Sequence, residues 1–274
     1  MKKPTDTGGN RTGIKTSPVE SKKTIEGADA GTPAEMTSTD PFELHSMRAK
    51  YSTSASPIGS MPPPGTLRQS AKAAVKTLTG KHMNVFVDQL GARLAFERTG
   101  TRIYEALLVK LEAASAHDGG PTRDDLEHIR DEELAHAAML IDCFEEIGAD
   151  STAVTPAADV QAVASCGIVQ IVADPRTTLT QALEAVLSAE LTDVESWQLL
   201  ADMAGKLGQE DMANRFNCAF REEQEHLIKV RDWLSSSLLG QAGIDEDDEE
   251  EPLSVEESVE LHPPPTGGSS GSAR

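Results

Sequence analysis

Residues 215–234 read RFNCAFREEQEHLIKVRDWL, a helical pattern with an anomaly at its centre. Phe216, Ala219, Val230 and Trp233 fall alternately three and four residues apart, the spacing of one buried helix face. Continued between Ala219 and Val230, the same rhythm lands on Glu223 and His226. Burying a carboxylate and an imidazole among apolar side chains costs several kcal/mol, roughly, unless something pairs with them.

The anomaly recurs. The stripe Leu126, Ile129, Glu133, His136, Leu140, Cys143 has a glutamate and a histidine at its middle, again three apart. Leu90, Leu94, Glu97, Tyr104 and Leu108 set Glu97 on an apolar face, and Leu183, Val186, Glu190, Trp197 and Leu200 do the same for Glu190. The four segments also match in pairs. Glu97 aligns with Glu190, Thr99 with Thr192, Tyr104 with Trp197 and Leu107 with Leu200, while RDEELAH at 130–136 aligns with FREEQEH at 220–226. Both matches are offset by about ninety residues, the mark of a duplicated or pseudo-twofold architecture.

Ala, Leu, Glu, Arg and Met dominate these segments, and no run alternates as a strand would, so the fold class is all-α. Helices are expected at about 82–117, 122–147, 177–207 and 209–239, with Gly148, Gly208 and Gly240 as stops and a short amphipathic segment at 67–79 before the first. Short loops join the first to the second and the third to the fourth. The roughly thirty residues from 148 to 176 are enough to run the length of a bundle and return the chain to the same end. This predicts a four-helix bundle with one long crossover, over residues 66–242. Residues 1–65, rich in Thr, Ser, Gly and Pro, and 243–274, with the run IDEDDEEE, are expected to be disordered tails.

The 274 residues hold 45 acidic and 25 basic side chains, for a formal charge of −20, and no dense Lys/Arg cluster in the central region, which argues against nucleic-acid binding. No run approaches the ~20 apolar residues of a membrane span, and no secretory signal opens the chain, so a cytoplasmic protein without membrane contact is expected. Cys143, Cys166 and Cys218 are widely spaced, with no CxxC pair, and read as small core residues. His45, His82, His117, His128 and His262 lie off the inward pattern and are expected at the surface.

Glu-x-x-His keeps both side chains on one helix face. Four carboxylates and two imidazoles can then meet in one layer of the bundle, where two divalent cations would cancel four negative charges. The inward stripes, as read from the periodicity, offer no Lys or Arg to do so. Carboxylate oxygens with one imidazole per metal suit iron or manganese rather than a thiolate-rich zinc site. Glu132 and Glu222, four residues before their histidines, lie off the stripe and are expected to be solvated or to support the ligands from outside. Asp193 is a candidate acceptor for the free N–H of a ligating histidine. Tyr104 is expected in the core, with a hydrogen bond near the site as a second possibility.

Glu97, Glu133-x-x-His136, Glu190 and Glu223-x-x-His226 resemble the signature of the ferritin-like di-iron and di-manganese carboxylate superfamily, which includes ferritins, bacterioferritins, rubrerythrins and manganese catalases. The resemblance covers about residues 82–240. It implies two iron or manganese ions per chain, with Glu133 and Glu223 bridging or chelating, Glu97 and Glu190 as terminal ligands, and His136 and His226 each on one ion. It further implies redox chemistry with dioxygen or peroxide, of ferroxidase or peroxide-scavenging type. An oxygenase acting on an organic substrate and a non-catalytic metal-stabilised scaffold are the alternatives. Without a CxxC iron site, electrons would come from an external donor, and by analogy a homodimer is expected.

Overall fold

A computed structural model of the chain describes residues 18–31, 41–61, 81–114 and 119–244. The amphipathic segment 67–79, His117, His262 and the acidic tail from 245 onward lie outside the described residues.

Seven helices are present among the described residues, and no strand. Four long ones form the bundle: α3 (Lys81–Ala113), α4 (Arg123–Ile147), α6 (Leu179–Lys206) and α7 (Glu210–Ala242). Their ends follow local chemistry. Thr122 caps α4 and Thr178 caps α6, each in a capping box with the residue three positions on, Asp125 and Gln181. Gly148 and Gly243 end α4 and α7 in the left-handed conformation, with φ of 74° and 69°.

The connection between α4 and α6 holds a helix of its own, α5 (Pro156–Ala173), which packs against α3 and α6. Thr155 caps its start and Pro156 follows at the first helical position. Both ends are fixed to α3. Asp88 Oδ1 accepts from Ala157 N–H at 2.8 Å, and the Thr155 hydroxyl donates to the Asp88 carbonyl at 3.3 Å. Close approach there depends on Gly91, where a Cβ would lie 2.9 Å from Thr155 Cγ2. At the far end Lys110 Nζ donates to the carbonyls of Asp174 and Thr177, at 3.0 and 2.9 Å, and so caps the C-terminal end of α5. By length and mean hydropathy α5 is apolar enough to cross a membrane, which the apolar-run reading of the sequence did not register; Val160, Val163 and Ile171 are exposed on it.

Two apolar clusters fill the bundle. Phe86, Leu90 and Leu94 of α3 meet Leu140, Phe144, Trp197 and Phe216 at one end. Ile103, Tyr104 and Leu107 meet Leu126, Ile129, Leu183, Val230 and Trp233 at the other. The clusters also give the directions: α4 and α6 run from the second cluster to the first, and α3 and α7 run the opposite way. The long crossover is thus as expected, because α4 and α6 start at the same end.

Within the segment read as a disordered N-terminal tail, the chain forms α1 (Pro18–Gly31) and α2 (Pro41–Ser54). Neither packs on another described helix, and their described side chains are exposed. Each opens on proline, which suits the first turn of a helix, so local preference rather than core burial makes them. The cysteines also depart from expectation: Cys143 is buried, whereas Cys166 and Cys218 are exposed.

Candidate metal centre

Between the two apolar clusters lies a layer of buried charge. Glu97 on α3, Glu133 and His136 on α4, Glu190 on α6, and Glu223 and His226 on α7 are all buried and brought together. Oxygen and nitrogen atoms of Glu133, Glu190, Glu223 and His226 lie within 4.8 Å of one another, and so do those of Glu97, His136 and Glu223. Glu223 belongs to both groups and lies between them. Its Oε1 is 2.9 Å from His136 Nδ1 and its Oε2 is 3.0 Å from His226 Nδ1. Glu133 fits beside Gly100, where a Cβ would overlap its Oε2 and lie 2.7 Å from its Cδ. A hydrogen in place of a side chain gives that carboxylate its position.

Outside this layer each histidine is held by the opposite helix. Glu222 on α7 lies 2.7 Å from His136 Nε2 on α4, and Glu132 on α4 lies 2.9 Å from His226 Nε2 on α7. With Nε2–H donated outward, Nδ1 is the nitrogen that faces the carboxylates, an arrangement that orients a histidine for metal binding. Glu132 and Glu222 thus support the ligands across the helix pair. Their position four residues before a histidine was the available signal, but not which histidine each would hold.

Asp193 does not accept from a histidine as expected. Its Oδ1 lies 2.7 Å from Arg93 Nη2, and Arg93 Nε lies 2.6 Å from Glu97 Oε1. Arg93 is only 3 % exposed, which corrects the reading that the inward stripes carry no cation. It sits four residues before Glu97, hence on the same helix face, and that spacing was the overlooked signal. The rings of Phe96 and Trp197 flank its guanidinium, at 4.4 and 5.6 Å. Tyr104 donates its hydroxyl to Glu190 Oε1 at 2.6 Å, so it is both a core residue and a partner of the site. Trp197 packs edge-on to His136, with 5.4 Å between ring centres, and against Phe216. His45, His82 and His128 are at the surface.

The proton chemistry of the layer follows from crowding. Burial, and then the charges of Glu223 and Glu97, pushes the Glu133 carboxyl well above its ordinary range. Burial beside Glu223 raises Glu190 to about 8. Burial also raises Asp193, against the pull of Arg93. Burial disfavours the charged form of His136, but hydrogen bonds with Glu223 and Glu97 prevail and raise it to about 11. His226, opposed by the same burial, is raised to about 10 by Glu132 and Glu223. Glu223, for which burial works the other way, is held down at about 2 by the two histidines. In metal-free form the layer therefore keeps protons on its imidazoles and some of its carboxyls.

A divalent cation fits this donor set. Glu133 Oε2 and Glu190 Oε2 are buried without a hydrogen-bond partner, and buried polar atoms are seldom left so. Charge agrees. Five buried carboxylates, Glu97, Glu133, Glu190, Asp193 and Glu223, face one buried guanidinium. The four negative charges left over are what two divalent cations carry.

Residues 119–237 match the family model of the ferritin-like domain. Over these residues the chain is similar to the ferritin-like domain, and the all-α bundle agrees with that fold. The match spans α4 to α7; α3, which supplies Glu97, lies before it. Neither a curated protein nor a solved structure gives a significant match to the chain.

Proposed function

We propose that the protein holds two iron or manganese ions among Glu97, Glu133, His136, Glu190, Glu223 and His226, and that this centre serves redox chemistry with dioxygen or peroxide, of ferroxidase or peroxide-scavenging type. The observation that carries the reading is the convergence of buried carboxylate oxygens and imidazole nitrogens from four helices, with Glu133 Oε2 and Glu190 Oε2 among them left without a hydrogen-bond partner. Such ions, when bound, would supply a reversible one- or two-electron change beside an oxidant.

The chain's own residues do the rest. Glu133 and Glu223, from α4 and α7, lie centrally and are suited to bridge, while Glu97 and Glu190 hold the outer positions. Glu132 and Glu222 fix the imidazoles so that Nδ1 faces inward. The Tyr104 hydroxyl orients Glu190 and can hold or pass a proton at Oε1. The apolar clusters above and below exclude water and strengthen every charge interaction in the layer. The electron donor is an external partner, and a cytoplasmic homodimer is the proposed setting.

Elemental analysis of protein purified without chelator, beside a Glu133→Ala/His136→Ala variant, tests the centre. About two iron or manganese atoms per chain, lost in the variant, is the expected result. Rapid oxygen or peroxide consumption on ferrous or manganous loading, without organic substrate, then supports the redox reading. Bound metal that consumes neither would favour the scaffold, whose folding stability alone would depend on the ions. Folded protein that takes up no metal would sink the proposal and leave the Arg93 and histidine ion pairs as the purpose of the layer.

A further inference from the structure

The two halves of the centre correspond in sequence but differ in what holds their outer glutamates. Glu97 and Glu190 occupy matching positions of the repeat, and one oxygen of each is already engaged. Glu97 Oε1 lies 2.6 Å from the charged Arg93 Nε. Glu190 Oε1 lies 2.6 Å from the neutral Tyr104 hydroxyl. The register that aligns Glu97 with Glu190 sets Val186 opposite Arg93 and Gly100 opposite Asp193. The buried Arg93–Asp193 pair therefore has no counterpart on the other side.

This difference matters to an incoming cation. At Glu190 it meets a carboxyl group held by a neutral hydroxyl and no fixed cation, and three further donors, Glu133, Glu223 and His226, converge there. At Glu97 it meets a carboxylate bound to a guanidinium; Glu223 and His136 converge there, and oxygens of Glu133 and Asp193 also lie with those of Glu97 and Glu223, so the halves differ in the fixed cation and not in the number of donors. Repulsion between a divalent ion and a fixed positive charge a few ångströms away is large against thermal energy in a buried site. Asp193 offsets only part of it, because it lies on the guanidinium's other arm. Packing between Phe96 and Trp197 makes it costly for Arg93 to swing aside.

We infer that the ions load in a fixed order, the Glu190/His226 half first and the Glu97/His136 half second, and that Arg93 is the positioning residue that sets this order. The inference rests on the binuclear reading above. It implies a state with one ion bound, in which Arg93 still holds Glu97 and the second position stays open.

The test is a titration of the full chain with Mn²⁺ alone, free ion being followed by electron paramagnetic resonance. Wild-type protein should bind in two steps separated by about tenfold or more in Kd. His226→Ala should remove the tight step, and His136→Ala should remove the weak step and spare the tight one. Arg93→Met combined with Asp193→Asn, which leaves no lone buried charge, should tighten the second step and merge the two. Arg93→Gln is a second neutral variant should the first not fold, and Arg93→Lys should keep the steps apart. Two ions bound in a single step by wild type, the reverse assignment in the histidine variants, or unchanged separation in a folded neutral variant would overturn the loading order while leaving the binuclear centre standing. Absence of any Mn²⁺ binding by wild type would overturn both.

Discussion

Gly100 and Glu222 show how single residues govern the layer. A methyl group at Gly100 would take space held by the Glu133 carboxylate, so Gly100→Ala should weaken Mn²⁺ binding by about tenfold or more while leaving the bundle helical, as checked by titration beside circular dichroism. Glu222 is 45 % exposed and touches the site only through His136. Glu222→Gln should cost about ten- to a hundredfold in affinity, with little change in metal-free stability. Of these roles, the inward Glu-x-x-His pairs were legible in the sequence because a glutamate on an apolar stripe stands out against helical periodicity. Arg93 was not among the inward residues read from the periodicity, although it stands one turn before Glu97 on the same helix face. The grip of Glu222 on the histidine of another helix cannot be read from spacing along one chain.

At the scale of elements, capping and crossing decide the architecture. Thr122, Thr178 and the glycines at 148 and 243 carry local signals, so helix ends come within a few residues of where the periodicity sets them. The crossover helix α5 had only its prolines and length to announce it, and its position depends on contacts with α3 far away in sequence. Lys110→Met should free the Asp174 and Thr177 carbonyls and lower stability by about 1–2 kcal/mol in urea unfolding, since a charged donor to partly buried carbonyls is worth that much. An unchanged midpoint would show that packing against α3 and α6 alone holds α5.

The whole molecule is held by two apolar clusters separated by a charged layer, and its stability should depend on pH in opposite ways with and without metal. Glu190, raised to about 8 from an ordinary 4.5, contributes in full below about 4.5 and loses that contribution as pH rises through 8. His136 and His226 contribute in full below about 6.5 and lose theirs as pH rises through about 11 and about 10. Glu223, lowered to about 2, contributes above about 4.5 and is lost only as pH falls toward 2. Metal-free protein should therefore have a lower Tm at pH 9 than at pH 6. Metal binding displaces these same protons, so Mn²⁺ affinity should rise with pH, and saturating ion should add about 4 kcal/mol at a thousand times Kd. Melting curves at both pH values, with chelator and with Mn²⁺, check the crossing of the two trends.

Helix content, the inward faces, the four-helix plan with its crossover and the six central residues are properties of the sequence, because apolar periodicity and short-range capping are written along a single chain. Tertiary structure alone decided that Arg93 takes Glu97 and Asp193, that Tyr104 takes Glu190, and that Glu132 and Glu222 each hold the other helix's histidine. Those pairings depend on which side chains the packed helices bring within about 3 Å, the reach of a hydrogen bond, and distance along the chain does not encode it.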